Sequence, residues 1–514
     1  MTAEATWLNA LSGNLTYMKE RDLPVLVHEL IRQGTPEKTA LIEKHSRYSY
    51  AALQETVDRY RRCLYARGVR PGERVGLFCR NSADFIFAYM AIASLGAVVI
   101  PLNIMFRPRE IGYILSDAGS RHVVTDRLLE LASAELNDSD LPAQHLLSEL
   151  RETAPAYSHH PAPDVPITPE DPCVILYTSG TTGRPKGAVL SHRNLISNAR
   201  SYTETIGAAE ADNYLCVLPL FHSFAWTCCV TTALLNGATI TIMEAFQPKE
   251  ALAMIQTHGV NVVTGVPAMY GIYTSVARPE DLAGVRLFVS GGASLPVETL
   301  NSFKEKTGQP IVEGYGLSEA SPVVTFNPIG RTKPGSIGLQ IPAVSVKIVD
   351  AEGRELPPGE VGELICQGPN VMSGYLGLPQ ETAAAIRDGW LHTGDLAYKD
   401  DEGYLFIVDR KKDLIIVGGL NVYPREVEEV LYSHPSVKEA AVIGTPDKTR
   451  GEAVRAFVVV REGMALNRKE LMAYLRTNLA TYKLPREIVE LEALPRNATG
   501  KVLKKELRTY QPLQ

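Results

Sequence analysis

The chain has 514 residues, which is too long for one ordinary hydrophobic core, so two or more domains are expected. Apolar residues make up 45% of the sequence and charged residues 21%, a balance typical of a globular protein in water. The net charge of −6 argues against a general surface for nucleic acid or anionic membranes. The 7 cysteines are scattered without metal-ligand spacing, and their odd number suits a reducing cytosol. These features favour a cytoplasmic protein that does not bind nucleic acid.

The N-terminal segment has no basic stretch followed by an apolar core, so no signal peptide is expected. One uncharged stretch of 18 residues, Phe85–Leu102, reaches the length of a membrane helix. However, Ser82 can cap a helix at its start and Gly96 can end it, after which Ala97–Ile100 reads as a buried strand. We therefore expect a helix and a strand here and no transmembrane segment, while peripheral contact with a membrane stays open.

Short β-branched runs alternate with longer helical patterns from about residue 40, which predicts mostly parallel sheets covered by helices. The predicted strands of this part are Val75–Cys79, Ala97–Ile100, His122–Thr125, Tyr214–Leu218, Thr239–Met243, Val260–Thr264 and Leu287–Ser290. A change to strands with tight turns predicts a smaller β-rich subdomain at about 340–406.

A compact α+β unit is predicted at the C-terminal end. Its predicted helices and strands are Pro424–Ser433, Val437–Ile443, Arg455–Val460 and Arg468–Leu479. The charged patch Asp409–Asp413 lies between two apolar strands and suits a hinge. The expected fold is therefore multidomain α/β, with an N-terminal domain over residues 1–409, which includes the β-rich subdomain, and a small α+β domain over residues 410–514.

The segment from Tyr177 to Gly187 has the composition of a phosphate-binding loop. Threonines, a serine, three glycines and a lysine directly follow the apolar run Val174–Leu176. Backbone N–H groups, hydroxyls and an ammonium at the end of a strand suit the oxygens and the charge of a triphosphate. It is not a Walker loop, because Pro185 precedes Lys186. The predicted phosphate-binding residues are Thr178, Ser179, Gly180, Thr181, Thr182, Gly183 and Lys186.

The segment Glu313–Glu319 combines an aromatic side chain, glycines and carboxylates. Tyr315 is flanked by glycines and can therefore lie flat against a purine ring. Glu319 is a hard oxygen ligand, suited to Mg2+ held on a triphosphate. Without the phosphate loop, an ordinary junction between a strand and a turn would explain this segment equally well.

In this order the motifs resemble the adenylate-forming superfamily, which includes acyl-CoA synthetases, peptide-synthetase adenylation domains and beetle luciferases. The resemblance runs from about Lys38 to Lys505 and is strongest to bacterial long-chain fatty acid–CoA ligases, especially across Glu313–Asn327 and Val408–Ser433. It implies that a fatty carboxylate attacks ATP·Mg2+ to give acyl-adenylate and pyrophosphate, and that CoA then displaces AMP. The implied partners are these small molecules, and a homodimer stays open.

The resemblance also implies which residues bind the nucleotide. Gly291, Gly292 and Ala293 would form the wall of the adenine pocket, and Asp395 and Arg410 would hold the ribose hydroxyls. Glu319, with Thr178, would hold the metal ion. The remaining implied ATP contacts are Glu313, Gly314, Tyr315, Gly316 and Ser318.

Lys501, in the last motif of the chain, is the implied catalytic lysine. A cation there would offset the repulsion between the attacking carboxylate and the α-phosphate. His222 stands where acyl-CoA synthetases place a histidine beside the substrate carboxylate, although a lone histidine among aromatics is more often a packed core residue. Trp226 matches a tryptophan that gates the channel of some long-chain enzymes, and Val266 and Met269 are expected near the acyl pocket.

The family swings its C-terminal domain between the two halves of the reaction. Lys412 matches the hinge position of the family. Beyond it, Gly418 and Gly419 offer bare backbone for the pantetheine arm of CoA, with Asn421 beside them. These four residues are the expected hinge and CoA side of the site.

Other functions use the same motifs. An aryl-CoA ligase for benzoate- or coumarate-type acids is separated from a fatty acid enzyme only by Trp226 and the small side chains after it. A non-catalytic nucleotide or lipid sensor on the same fold is disfavoured by the intact Glu319, Asp395, Arg410 and Lys501. A peptide-synthetase domain needs a carboxylate to pair the ammonium of an amino acid, and the segment around His222 offers none. A fatty acyl-AMP ligase usually carries an extra insertion, for which we find no room.

Overall fold

Two large β-sheets, here called A and B, dominate the computed structural model, which describes residues 25–131, 141–179, 184–497 and 500–510. Their inner strands are parallel, and antiparallel strands lie at the edges. Parallel strands of this kind are buried on both faces and covered by helices. The predicted α/β fold with a large N-terminal part and a smaller C-terminal part is confirmed.

The strands of sheets A and B run as follows in spatial order, counted over the described residues. Sheet A has seven: Gly374–Tyr375, Pro185–Ser191, Pro172–Ser179, Val98–Pro101, Arg74–Phe78, His122–Thr125 and Ala143–Leu146. Sheet B has nine: Leu339–Gln340, Val323–Phe326, Ile311–Gly316, Leu287–Ser290, Val262–Gly265, Asn213–Cys216, Thr239–Ile242, Thr39–Glu43 and Ser46–Ser49.

Two smaller sheets follow along the chain. Sheet C comprises Ser345–Val349, Gly362–Gln367, Ile386–Arg387, Trp390–Lys399 and Leu405–Arg410. Sheet D comprises Ile415–Val417, Leu420–Val422, Val437–Asp447, Gly451–Val460 and Glu487–Glu490. Sheet C occupies the segment expected to be β-rich, and sheet D begins just after the expected hinge. The exact domain boundaries stay a prediction.

The helices connect and cover these strands. The α-helices, which include short single turns, are Tyr50–Ala66, Ala83–Ser94, Pro108–Asp117, Leu147–Thr153, His192–Ile206, Ser223–Ala225, Thr232–Leu235, Pro248–His258, Pro267–Val276, Pro279–Leu282, Val297–Thr307, Pro379–Ala385, Pro424–Tyr432, Arg468–Asn478 and Lys504–Thr509. A π-helix spans Trp226–Thr231, and 3-10 turns span Val27–Arg32, Ala154–Tyr157, Ser318–Ala320, Lys411–Asp413 and Thr481–Lys483.

The uncharged stretch is a helix followed by a strand, as predicted. The Ser82 side chain accepts a hydrogen bond from the Phe85 N–H and caps helix Ala83–Ser94. Gly96 adopts φ +66°, a left-handed conformation that favours glycine and ends the helix. The helix contacts strands of both sheets A and B, which explains why it is apolar on all sides. Among the described residues, the structure contains no helix long and apolar enough to cross a membrane.

Candidate active site

Motifs from distant parts of the chain line one cavity of about 1860 Å3. It lies at the ends of the sheet B strands Leu287–Ser290 and Ile311–Gly316, and the C-terminal segment lines its other side. Ligands of open α/β sheets bind at this edge of the strands. The predicted site residues that line the cavity are Thr178, Lys186, His222, Gly291, Gly292, Ala293, Glu313, Gly314, Tyr315, Gly316, Ser318, Glu319, Asp395, Arg410, Lys412 and Lys501.

The phosphate loop connects two antiparallel strands of sheet A. Thr178, near the end of the first strand, pairs with Lys186, near the start of the second. The Thr178 hydroxyl donates a hydrogen bond to Glu319 Oε1 at 3.3 Å. The loop and the expected metal ligand therefore meet at one point. The predicted contacts of Gly180, Thr181, Thr182 and Gly183, and of the Ser179 side chain, lie outside the described residues.

Tyr375 is a site residue that the sequence reasoning missed. Its hydroxyl donates to the same Glu319 oxygen at 3.0 Å, and its ring centre lies 5.6 Å from the Lys186 Nζ. The short strand that carries Tyr375 pairs with the strand after the phosphate loop. Tyr375 stands 56 residues from Glu319 in the sequence, and the two are brought together by the strand pairing and by the Met372 N–H, which donates to the Glu319 carbonyl oxygen at 2.9 Å.

Close backbone packing explains the glycines of the adenine side. A Cβ on Gly316 would lie 2.0 Å from the Pro322 carbonyl oxygen, and one on Gly291 would lie 2.8 Å from the Phe224 ring. Only glycine fits at position 316, whereas a side chain at position 291 would require the Phe224 ring to shift. Ser318 lies at the same turn, with its hydroxyl 3.3 Å from that of Ser223.

The predicted ribose residues lie on neighbouring strands of sheet C, where Asp395 pairs with Arg410. Arg410 Nε is 3.5 Å from Asp395 Oδ1. The Tyr315 hydroxyl donates to Asp395 Oδ2 at 2.6 Å. Asp395 is thus held by a group from the adenine side and by the expected second ribose residue.

Glu363 supports the loop before the predicted ribose residue Asp395, and the sequence reasoning also missed it. Its Oε1 accepts a hydrogen bond from the Gly394 N–H at 3.2 Å. Its Oε2 lies 3.3 Å from Lys411 Nζ and 3.4 Å from His392 Nδ1. Glu363 therefore ties the loop before Asp395 to the start of the hinge turn.

Glu313 lies beneath the predicted wall of the adenine pocket. Its Oε1 accepts a hydrogen bond from the Leu295 N–H at 3.0 Å, while its Oε2 has no partner among the described residues. Burial raises the pKa of Glu313 to about 7. The contact with Leu295 fixes the chain that follows Gly291–Ala293, so Glu313 supports this wall.

Lys501 and His222, from opposite parts of the chain, face the same cavity. Burial, and then the charge of Arg410, lowers the pKa of Lys501 to about 8. Burial, and then the charge of Lys501, lowers the pKa of His222 to about 4. At pH 7 the lysine is therefore mainly a cation and the histidine is neutral. Such a pair can attract a carboxylate without a second positive charge.

The expected acyl residues are not all in one place. Trp226 stacks on Tyr89 with ring centres 3.7 Å apart, and both residues line a small second cavity behind His222. Val266 instead borders Gly292, and a Cβ on Gly500 would lie 3.3 Å from its side chain. Met269 is buried in the apolar core, and its helix lines the large cavity through other residues: Pro267, Ala268, Gly271 and Ile272. The acyl roles of Val266 and Met269 stay predictions.

The hinge and the CoA-side glycines lie apart. Lys412 belongs to the 3-10 turn Lys411–Asp413 and lines the large cavity. Gly418 and Gly419 form the exposed turn of a sheet D hairpin, with φ of +59° and +84°, and Asn421 is exposed beside them. The structure therefore has the lysine of the last motif at the cavity, and the glycine turn on the surface.

Backbone and charge contacts hold the C-terminal segment in this arrangement. The Arg425 N–H donates to Asp409 Oδ2 at 2.9 Å, and its guanidinium donates to the Ile407 carbonyl oxygen at 2.8 Å. Lys504 Nζ lies 2.8 Å from Glu428 Oε1. These contacts connect the helices around Lys501 to the end of sheet C.

Comparisons with known proteins agree with this geometry. Residues 30–376 match the model of the AMP-binding enzyme family, and residues 426–501 match the AMP-binding enzyme C-terminal domain. A feruloyl-CoA synthase from Amycolatopsis sp is 38% identical over 92% of this chain and 96% of its own length. A long-chain-fatty-acid–CoA ligase from Bacillus subtilis (strain 168) is 35% identical over 92% of this chain and 91% of its own length.

Solved structures give the same result. The crystal structure of ATP-bound MatB from Rhodopseudomonas palustris is similar to this fold with a TM-score of 0.88 and 32% sequence identity. The similarity covers 94% of this chain and 98% of that one. Since both the family models and the full-length relatives cover most of the sequence, the chain belongs to the family of AMP-binding, adenylate-forming enzymes and is an AMP-forming acid–thiol ligase.

Proposed function

We propose that this ligase acts on medium- or long-chain fatty acids and converts fatty acid, ATP and CoA into acyl-CoA, AMP and pyrophosphate. The observation that carries the substrate assignment is the apolar wall next to His222, which now encloses only about 10 Å3 and which an alkyl chain would enter by displacing Trp226. Apart from the His222 imidazole, the Tyr89 hydroxyl, the indole N–H and the side chains of Ser223 and Thr227, the walls of this small cavity are apolar. The apolar residues that contribute include Pro101, Val174, Leu176, Leu195, Leu220 and Trp226. An alkyl chain gains free energy by leaving water for such walls.

In the first half of the reaction, a carboxylate oxygen bonds to the α-phosphorus of ATP and the bond to the bridging oxygen breaks, so that pyrophosphate leaves. Lys501 stabilises the negative charge that develops between the two reactants. His222, neutral at pH 7, positions the carboxylate by hydrogen bonding. Asp395 and Arg410 hold the ribose, and Tyr315 packs on the adenine.

Thr178 and Glu319 fit a Mg2+ ion bound to the triphosphate. Both offer oxygen atoms, which Mg2+ prefers, and this ion is usually held by one or two carboxylates together with substrate phosphates. Glu319 Oε1 is occupied by two hydroxyl donors, which leaves Oε2 for a cation. When bound, Mg2+ would neutralise part of the negative charge of the phosphates. Lys186 adds a second positive charge on the phosphate side of the cavity.

In the second half, the CoA sulfur bonds to the acyl carbonyl carbon, the bond to the AMP phosphate breaks, and the thiol proton leaves to solvent. The C-terminal domain rotates about Lys412, which removes Lys501 and brings the turn of Gly418 and Gly419 to the cavity. The separation of these two faces in the present arrangement supports this alternation, because both cannot reach one substrate at once.

An aryl-CoA ligase is the second candidate. The ring of Trp226 stacks on Tyr89, and the cavity that the two rings line keeps only about 10 Å3, too little for a long chain unless the pair moves. The feruloyl-CoA synthase relative, by its name, acts on an aromatic acid. His222 also lines the large cavity, where a compact ring could lie without displacing the stacked pair.

Pyrophosphate release with ATP, Mg2+ and CoA tests both candidates, across carboxylates from acetate to palmitate with benzoate and coumarate included. A maximum between about eight and eighteen carbons is expected for the fatty acid enzyme. A preference for the aryl acids would favour the second candidate and leave the roles of Lys501, Asp395 and Arg410 intact. Absence of carboxylate-dependent pyrophosphate release would contradict both and favour a non-catalytic sensor.

A further inference from the structure

We propose that Tyr375 is a positioning residue that directs the Glu319 carboxylate toward the metal ion of the ATP·Mg2+ complex. This inference rests on the proposed use of Mg2+ and goes beyond it, because it assigns the metal geometry to a side chain from another part of the fold. Tyr375 lies on the short edge strand Gly374–Tyr375 of sheet A, whereas Glu319 lies in the turn after a strand of sheet B.

The hydrogen bonds to Glu319 are asymmetric. Its Oε1 accepts from the Tyr375 hydroxyl at 3.0 Å and from the Thr178 hydroxyl at 3.3 Å. Its Oε2 accepts no hydrogen bond from the residues that the structure describes. Two donors on one oxygen fix the rotation of the carboxylate and leave the other oxygen open. A carboxylate held in this way offers a cation one preset ligand atom.

The Tyr375 hydroxyl is itself held in place by its backbone. The Tyr375 N–H donates to the Thr382 hydroxyl at 2.9 Å. On either side, the Ser373 and Leu376 N–H groups donate to the carbonyl oxygens of Val189 and Gly187, at 3.0 and 2.8 Å. The strand that leaves the phosphate loop therefore fixes the position of the Tyr375 hydroxyl. Through this hydroxyl, Tyr375 aligns the Glu319 carboxylate with the loop.

The ring of Tyr375 adds a second contact with the phosphate side. Lys186 Nζ lies 5.6 Å from the ring centre, within the range of a cation–π interaction. Tyr375 thus contacts both Lys186, the cation expected at the phosphates, and Glu319, the carboxylate expected at the metal ion.

The test measures metal binding directly. Binding of Mn2+ to the full chain in the presence of ATP is followed by electron paramagnetic resonance, for the wild type, Tyr375→Phe and a control, Tyr404→Phe. The control removes a hydroxyl that donates to the Arg331 carbonyl oxygen in a turn of sheet C. Tyr375→Phe keeps the ring beside Lys186 and removes only the hydrogen bond, and we expect roughly tenfold weaker Mn2+ binding. Unchanged binding, or equal loss in the control, would overturn the proposal.

A double-mutant cycle separates positioning from general damage. If Tyr375 acts through Glu319, Tyr375→Phe causes no further loss of Mn2+ binding in a Glu319→Gln background. Additive losses of Mn2+ binding would contradict the proposal. This holds even if Tyr375→Phe alone lowers the melting temperature of the protein. A wild-type chain that binds ATP but no Mn2+ would instead contradict the proposed use of Mg2+, so the two failures are distinguishable.

Discussion

The Tyr315 hydroxyl donates a hydrogen bond to Asp395 Oδ2 at 2.6 Å, across 80 residues of sequence. Tyr315 belongs to the expected adenine segment and Asp395 to the expected ribose segment, so one hydrogen bond connects the two halves of the proposed nucleoside site. Asp395 is only 8% exposed. A charged hydrogen bond gains strength in such a poorly hydrated place. The adenine and ribose residues therefore act as one unit, with Arg410 on the other carboxylate oxygen.

Tyr315→Phe is expected to weaken ATP binding by roughly ten- to a hundredfold, because hydrogen bonds to charged groups are worth about 1.5–3 kcal/mol. The aromatic ring is kept, so packing against the base is retained. Calorimetric titration with ATP measures the change. Tyr398→Phe, in the same strand of sheet C as Asp395, serves as the control and should bind ATP like the wild type. Equal ATP affinity of Tyr315→Phe and the wild type would show that this hydrogen bond does not couple the adenine and ribose residues.

Much of the fold could be predicted because its signals are local. The cap at Ser82, the terminator Gly96 and the β-branched runs depend on neighbouring residues, and the structure confirms the helix and strand of the uncharged stretch. Strand ends were less certain: the run predicted as Tyr214–Leu218 forms strand Asn213–Cys216. Hydrogen-bond pairing with neighbouring strands sets such ends, and periodicity does not contain that information.

Site residues with a motif of their own could be proposed from the sequence, whereas supporting residues could not. Tyr375 and Glu363 act on Glu319 and on the Gly394 backbone through sheet pairing and side-chain reach. Neither Tyr375 nor Glu363 lies in a sequence motif that indicates a role in the site. The acyl pocket was equally hard to predict, because the Trp226–Tyr89 stack depends on how a π-helix packs against helix Ala83–Ser94.

Lys501→Ala is expected to lower the rate of acyl-adenylate formation by roughly a hundred- to a thousandfold, the usual effect of removing one preorganised charge. Thioester formation from supplied acyl-adenylate should remain largely intact, because Lys501 acts only in the first half. The two half-reactions are measured separately, by pyrophosphate release and by acyl-CoA formation. Lys505→Ala, in the helix Lys504–Thr509 that follows Lys501, is a matched control. Loss of both half-reactions in Lys501→Ala would contradict this division of labour.

Adenylation is expected to lose activity as the pH rises through about 8, the pKa of Lys501 in this site. A lysine is a cation below its pKa and neutral above it, so the stabilising charge disappears on the alkaline side. His222, with a pKa of about 4, should add no acidic limb between about pH 5 and 7. The profile of kcat/KM for pyrophosphate release measures both effects. In Lys501→Arg the remaining activity should show no such alkaline limb, since arginine stays charged. The same limb in that variant would assign it to another group.

Lys412→Pro is expected to block thioester formation and to spare adenylation. Lys412 lies in a 3-10 turn, whose backbone φ suits proline, and no hydrogen bond is recorded for its N–H in the described structure. The present arrangement, with Lys501 at the cavity, should therefore tolerate the substitution. Rotation of the C-terminal domain requires a change of backbone angles at the hinge, which the proline ring restricts. The two half-reactions are again measured separately, with Lys411→Ala as the neighbouring control. Normal thioester formation by Lys412→Pro would place the hinge elsewhere, because a fixed φ at the pivot is incompatible with a full rotation.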